Sequence, residues 1–155
     1  MGGGRKQDDG KEEERRKKEI EYRRTTLLLN NNQLRELTGL YDTLEKYVIR
    51  EPQNLMWLNL SHNYLVKIDK EILNFPQLKC LLLHGNYIAD LEEIRKLQDL
   101  GNLYSLSLNG NPIEAIKGYR MYILGLMFQK YETLKKLDST VITKNEFDNK
   151  IVWNE

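Results

Sequence analysis

Three side chains in this sequence have the reactivity that catalysis or metal binding needs: Cys80, His62 and His84. A thiolate beside an imidazole can act as a nucleophile with its base, and both groups bind zinc. Cys80 and His84 are separated by about 13 Å along an extended strand at ~3.3 Å per residue, so one zinc ion cannot bind both. His62 and His84 supply only two ligands, fewer than a catalytic zinc usually takes. We therefore predict no metal, no cofactor and no catalytic residue.

The motifs of the common enzyme classes are also missing. The sequence has no GxSxG, no HExxH and no phosphate-binding Walker motif. Gly85 and Gly110 each precede an asparagine, where glycine permits a turn with positive φ. Because no nucleophile, base and orienting group can be assembled, the sequence argues against an enzyme.

The composition limits the classes of partner. The chain has 24 lysines and arginines against 23 aspartates and glutamates, a net charge of +1. Nucleic acids and anionic membrane surfaces usually select a clearly basic domain or face, so we expect neither. No apolar run approaches the roughly 20 residues of a membrane span, and the single cysteine cannot form an internal disulfide. We expect a cytoplasmic chain.

A repeated spacing of leucines and one asparagine organises the chain. One full copy, L-x-x-L-x-L-x-x-N-x-L, begins at Leu78. Leu81 and Leu83 alternate inward from a short strand, and Asn86 turns the chain, since its amide can satisfy backbone groups that a tight bend leaves unpaired. The copies begin at Arg24, Leu55, Leu78 and Leu103. Four copies exceed the minimum of about three that a stacked repeat fold needs.

The first interval between copies is the longest. Apolar residues from Leu37 to Val48 recur at helical spacing before Pro52, which predicts a helix on the outer side of the repeats. The next outer segment, with Ile72 and Phe75, is short and predicts an irregular turn.

The two ends differ from the repeats. Residues 1–23 are highly charged and predict a flexible or partly helical arm, supported by ion pairs of i,i+4 spacing. These pairs are Glu12 with Arg16, Glu13 with Lys17 and Glu14 with Lys18. The repeats and their cap occupy 24–142, where an apolar helix from Gly118 to Lys130 closes the core.

The last segment, 143–155, predicts a helix and tail. Thr143 and Glu146 have the spacing of a capping box at a helix start. Phe147 and Ile151 fall on one face of this helix, with Trp153 nearby. These apolar residues are expected to cover the C-terminal end of the repeat core.

Taken together, the repeats and cap resemble one leucine-rich repeat class. It is found in a nuclear phosphatase-one regulator, a spliceosomal ribonucleoprotein subunit and an axonemal dynein light chain. The segment from Gly118 to Thr143, with Leu134, Asp138 and Val141, is similar to the cap of that class. The resemblance implies an α/β right-handed solenoid with parallel strands on the concave face, helices and turns on the convex face, and a helical cap. It also implies a small cytoplasmic, non-enzymatic protein that belongs to the ciliary axoneme.

The concave face supplies the candidate site. Between the inward leucines, strand side chains are expected to point to solvent, among them Ser61, Cys80 and His84. The predicted protein-binding residues are Leu28, Met56, Trp57, Asn59, Lys79, Leu82, Tyr104 and Ser107. We predict Trp57 and Tyr104 as anchors, Leu28, Met56 and Leu82 as an apolar floor, and Asn59, Lys79 and Ser107 as orienting groups. Alternatively, the arm or the C-terminal helix covers this face.

The sequence thus predicts a scaffold that binds a segment of another protein on its concave face. Its expected partners are proteins of an axonemal or microtubule-associated assembly, with no small-molecule substrate, nucleic acid or membrane. A regulatory subunit that binds a phosphatase or another enzyme is the first alternative. A ribonucleoprotein assembly module is the second.

Overall fold

The computed structural model describes residues 5–128 and 132–149. The helices are α1 (Arg5–Thr25), α2 (Leu40–Tyr47), α3 (Tyr119–Met127) and α4 (Lys144–Asn149). The strands are β1 (Thr26–Leu28), β2 (Trp57–Asn59), β3 (Cys80–Leu82), β4 (Ser105–Ser107), β5 (Lys136–Leu137) and β6 (Thr140–Val141). Short 3-10 helices span Pro52–Asn54, Lys70–Asn74, Leu91–Asp99 and Pro112–Ala115.

The six strands form one sheet in chain order. Strands β1 to β5 are parallel, and β6 is antiparallel to β5. The central leucines of the parallel strands are in register from coil to coil: Leu27, Leu58, Leu81, Leu106 and Leu137. Each coil returns through a helical segment on the convex side, so the predicted α/β solenoid is the architecture observed.

Inward leucines and isoleucines build one continuous core. Leu58, Leu81 and Leu106 are fully buried, because alternate residues of a strand face opposite sides of the sheet. On the convex side, Phe75 is also fully buried and contacts Tyr41 of α2, with ring centroids 5.7 Å apart. The core is thereby closed between the sheet and the convex segments.

Asparagine side chains satisfy backbone groups at the turns, as predicted, and from the second coil onward they also join each coil to the preceding one. The Oδ1 atom of Asn63 accepts from the Leu34 N–H, and that of Asn111 accepts from the Ile88 N–H, so each amide reaches the preceding coil. Their Nδ2 groups donate to carbonyls of their own coil and of the preceding one. Because both residues are buried, these bonds replace the water that the turn excludes.

The first convex helix is longer than the second convex segment, as predicted. The expected first helix is present as α2, which is shorter than the apolar pattern from Leu37 to Val48. The segment Lys70–Asn74 is a single short 3-10 helix, in line with the predicted irregular turn. The 3-10 helix Leu91–Asp99 has nine residues. Its N-cap is Asp90, whose side chain accepts a hydrogen bond from the Glu92 N–H.

The charged arm forms helix α1, which runs directly into β1. The three predicted ion pairs of i,i+4 spacing are present, with N–O distances of 2.8 to 2.9 Å. Residues 9–21 are exposed. Within the described ranges, no helix combines the length and the apolar character needed to cross a membrane. The boundary between arm and repeats at residue 24 stays a prediction.

Asp138 closes the last coil. Its Oδ1 atom accepts from the N–H groups of Leu108 and Asn109, and its Oδ2 atom accepts from the Tyr119 hydroxyl at 2.9 Å. Asp138 and Ser139 both have positive φ and connect β5 to β6 as a two-residue hairpin loop. Burial raises the pKa of Tyr119, so its hydroxyl stays protonated and keeps donating. The Asp138 carboxylate binds the Leu108 N–H, whose counterparts in the preceding coils, such as the Leu83 N–H, donate to a backbone carbonyl of the next strand.

The predicted capping box is present at α4. The Glu146 carboxylate accepts from the Thr143 N–H, and the Thr143 hydroxyl accepts from the Glu146 N–H. Arg120 of α3 also donates to Glu146 and to the Leu137 carbonyl. The predicted partners Ile151 and Trp153 and the tail lie outside the described residues, as do residues 129–130 of the predicted apolar helix.

The hydrogen-bonded ion pair between Arg120 and Glu146 is expected to stabilise the folded chain by an amount that depends on pH. The Arg120 guanidinium lowers the pKa of Glu146 from 4.5 to about 2. A lowered folded-state pKa stabilises the fold above pH 4.5, and this contribution is lost as the pH falls toward 2. We expect Glu146→Gln to lower the free energy of unfolding by about 1 kcal/mol at pH 7, discounted for partial exposure of the pair, and by less at acidic pH. Urea unfolding at both pH values measures this.

The matched control is Glu12→Gln, which removes an exposed ion pair of α1. It is expected to change stability by a few tenths of a kcal/mol at most. Equal losses for Glu146→Gln at pH 7 and near pH 2 would show that the Arg120 bond is not the cause.

A candidate protein-binding groove on the concave face

Backbone bonds between coils place the concave side chains in rows. The N–H groups of Met56, Lys79, Tyr104 and Lys135 each donate to the carbonyl of the preceding row member, beginning at Thr25. We call these five residues the first row. The second row follows from the strand register: Thr26, Trp57, Cys80, Ser105 and Lys136. The third row is Leu28, Asn59, Leu82 and Ser107.

The first two rows line an open groove of about 790 Å³, which we call the concave groove. Trp57 is 40% exposed and Tyr104 is 48% exposed, although both flank a buried sheet. Met56 is half-buried beside them, and Lys79 is exposed. The structure therefore brings together four of the predicted binding residues in one groove.

The other four predicted residues form the third row, outside the lining of the concave groove. Leu28 is 58% exposed at the free edge of the sheet, and Leu82 is half-buried. The side-chain Oδ1 atom of Asn59 accepts from the N–H and the hydroxyl of Ser61. Ser107 is only 4% exposed, because its hydroxyl is hydrogen-bonded to Nδ1 of His84 at 2.7 Å.

The expectation that all these strand residues open to solvent is therefore wrong at three positions. Ser61, Cys80 and Ser107 lie on the concave face but are buried. Their side chains are short, and larger groups of neighbouring residues shield them. Burial also raises the pKa of the Cys80 thiol, which disfavours its nucleophilic form.

The two histidines, His62 and His84, are neighbours on adjacent coils. The rings of His62 and His84 meet edge to face, with centroids 5.1 Å apart. Burial, followed by the nearby His62, lowers the pKa of His84. Among the described residues, no group of three or more histidine, cysteine or acidic side chains could hold a metal ion.

Neither α1 nor α4 covers the anchors. Trp57 and Tyr104 keep their exposure with both described helices in place. The alternative that one of these helices hides the concave face does not hold for the described residues.

Sequence reasoning missed the wall of the groove that the cap supplies. Glu132, Thr133, Lys135 and Lys136 line the groove beside Tyr104. A signal was present, because Leu134 and Leu137 repeat the spacing of the first two leucines of each copy. That spacing makes Lys135 and Lys136 the counterparts of Met56 and Trp57, which the register confirms.

Comparison with known proteins finds relatives that share one name. Leucine-rich repeat-containing protein 51 of Bos taurus is 41% identical over 106 residues, which is 68% of this chain and 53% of the relative. The human protein of the same name is 37% identical over 113 residues, 73% of this chain and 57% of the relative. No protein-family model matches the chain.

Solved structures agree with these relatives. A leucine-rich repeat protein of Leptospira interrogans has a TM-score of 0.52 and 30% identity, covering 70% of this chain and 24% of that one. The chain has the leucine-rich repeat fold. A chain of the Drosophila melanogaster SNF/U2A′ complex aligns with a TM-score of 0.62. The alignment covers 83% of the present chain and 67% of the Drosophila chain. At 24% identity, that likeness shows the fold alone.

These relatives confirm that the repeats of this chain resemble leucine-rich repeats. Leucine-rich repeat folds are typically interaction modules, which agrees with a scaffold that binds proteins. The chain spans about half the length of the curated relatives that it matches.

Proposed function

We propose that this leucine-rich repeat protein is a non-enzymatic scaffold that binds a segment of another protein along the concave groove. The observation that carries the proposal is the exposure of Trp57 and Tyr104 in one groove of a packed sheet. Exposed apolar clusters with polar rims mark protein-binding sites, and Trp and Tyr are favoured anchors there. The sheet is already ordered, so binding loses little conformational entropy.

The two anchors have a spacing that suits one partner segment. Trp57 lies on β2 and Tyr104 at the start of β4, two strands away, which is about 10 Å at ~4.8 Å per strand. Lys79 lies on the coil between them, and Met56 lies beside Trp57 on the same coil. The third row extends this surface with Leu28, Asn59 and Leu82, and Ser107 contributes by holding the His84 ring.

Trp57→Ala is expected to weaken partner binding by about 2 kcal/mol, because a large anchor leaves its pocket. Its thermal stability should stay close to that of the native chain, since the side chain is 40% exposed. Titration calorimetry and thermal unfolding measure the two quantities. The matched control is Tyr47→Ala, which removes an aromatic side chain that is 71% exposed on α2. Unchanged affinity of Trp57→Ala would remove the groove as the binding site.

We also propose a cytoplasmic location in ciliated cells, within an axonemal or microtubule-associated assembly. This proposal is supported by the resemblance of the repeats and cap to a class that includes an axonemal dynein light chain. The test is purification of a tagged copy from ciliated cells, with axoneme and cell-body fractions analysed by mass spectrometry.

Recovery from the axoneme with a salt-resistant protein partner is the expected result, and that partner supplies the ligand for the Trp57→Ala titration. Recovery from the cell body alone with an attached phosphatase or other enzyme would contradict the axonemal proposal and favour a regulatory subunit. Recovery with ribonucleoproteins alone would contradict it as well.

A further inference from the structure

Lysines concentrate at the concave groove. Lys79, Lys135 and Lys136 line it, whereas Glu132 is the single carboxylate among the described residues of its lining. The whole chain has a net charge of only +1, so this local excess of positive charge is not a general property of its surface.

Two of these lysines have ammonium groups that are open to a ligand. Lys79 and Lys136 are exposed, and neither makes an ion pair in the described part of the chain. Lys135 is engaged, because its Nζ atom donates to the Glu132 carbonyl at 3.0 Å and lies 5.8 Å from the Phe147 ring centroid. Lys79 and Lys136 therefore provide the available charge.

The distance between Lys79 and Lys136 determines how far apart two acidic groups of a ligand must be. Lys79 precedes β3 and Lys136 begins β5, so two coils separate them, about 10 Å at ~4.8 Å per strand. Tyr104 lies in the first row directly between Lys79 and Lys135. Residues i, i+2 and i+4 of an extended segment share one face and span about 13 Å, so acidic residues at i and i+4 can reach the two long lysine side chains while an apolar residue at i+2 reaches Tyr104.

We propose that the concave groove selects an acidic segment of a partner protein, with two carboxylates flanking an apolar residue. This inference rests on the proposed function and names the chemistry of its ligand. Charge complementarity of this kind fixes the register and the specificity of a bound segment. A nucleic acid fits less well, because phosphate polymers need many cationic contacts and no arginine is found among the groove-lining residues that the structure describes.

The experiment selects ligands from a library of random short peptides on the full chain. The best peptide is then titrated against three variants. These are Lys79→Glu with Lys136→Glu, Trp57→Ala, and a control pair, Lys67→Glu with Lys117→Glu. Lys67 and Lys117 are exposed and lie outside the groove lining, so the control makes the same change in net charge elsewhere.

The expected result is enrichment of peptides with acidic residues around an apolar one. Reversal of the groove lysines should weaken the best peptide about tenfold, and the control pair should change its affinity far less. Added salt should also weaken binding to the native chain more than to the Lys79→Glu, Lys136→Glu variant.

Three other results would overturn the inference in distinguishable ways. Neutral or basic peptides that require Trp57 but ignore the lysines would leave the proposed function intact and remove the acidic ligand. Peptides indifferent to Trp57 and to both lysines would remove the groove itself, and the proposed function with it. Tight binding of a uridine homopolymer, sensitive to the groove lysines, would replace the acidic segment with RNA.

Discussion

Asn86→Ala is expected to lower the free energy of unfolding by about 3 kcal/mol, because the buried Leu65 N–H loses its partner and two buried carbonyls each lose one of their two amide donors. The Oδ1 atom of Asn86 accepts from the Leu65 N–H at 3.1 Å. Its Nδ2 group donates to the carbonyls of Leu60 at 3.0 Å and Leu83 at 2.9 Å. Asn86 is only 3% exposed, so water cannot replace the amide without opening the turn. Urea unfolding followed by circular dichroism measures the loss.

Asn32→Ala is the matched control for this prediction. Asn32 holds the same position in the first copy, but it is exposed, and its Nδ2 group donates only to carbonyls of its own coil, Leu29 and Asn30. Solvent can take over those bonds, so we expect a loss of about 1 kcal/mol or less. Similar losses for the two variants would mean that burial of the amide between coils does not stabilise the solenoid.

The difference between these asparagines shows what the repeat spacing can predict. The amide at the turn follows from one residue type at one position, since few side chains carry both an acceptor and two donors. The inward leucines follow in the same way from alternation along a strand. Both features depend on a residue and its immediate neighbours, so the fold was accessible from sequence.

Burial on the concave face depends instead on residues of other coils. Ser107 is covered by a histidine of the preceding coil, and Cys80 lies between Trp57 and Ser105 of adjacent strands. Strand alternation places all of these side chains on one face, but it does not tell which larger neighbour shields a shorter one. The sequence therefore indicated the surface correctly and overestimated how much of it is open.

The cap shows a second limit. Leu134 and Leu137 keep the leucine spacing, but the pattern then stops, because Asp138 and Ser139 turn the chain into a hairpin. A search for complete copies of the leucine spacing therefore does not find this partial copy. Its two lysines nevertheless complete the concave groove and supply much of its positive charge.

Gly85→Ala is expected to lower the free energy of unfolding by about 3 kcal/mol, through backbone strain and a collision together. Gly85 has a φ of 68°, which alanine rarely adopts. A Cβ atom at this position would lie 2.5 Å from Nδ1 of His62 and 2.8 Å from its Cε1. The imidazole would have to leave its edge-to-face contact with His84. Chemical unfolding of the variant measures the combined cost.

Gly39→Ala separates the two causes. Gly39 has a φ of 76° and no atom within 4 Å of the added Cβ, so its substitution carries the strain alone, about 1 kcal/mol. In a His62→Ala background the collision disappears, and Gly85→Ala should then cost no more than Gly39→Ala. Asn31, His62, Gly85 and Gly110 share one turn position with positive φ. If Gly85→Ala lowers the free energy of unfolding equally in both backgrounds, the glycine is needed only for the positive φ of its own turn. If the loss is smaller in the His62→Ala background, as we expect, the absence of a side chain at Gly85 is what makes room for the His62 imidazole of the preceding coil.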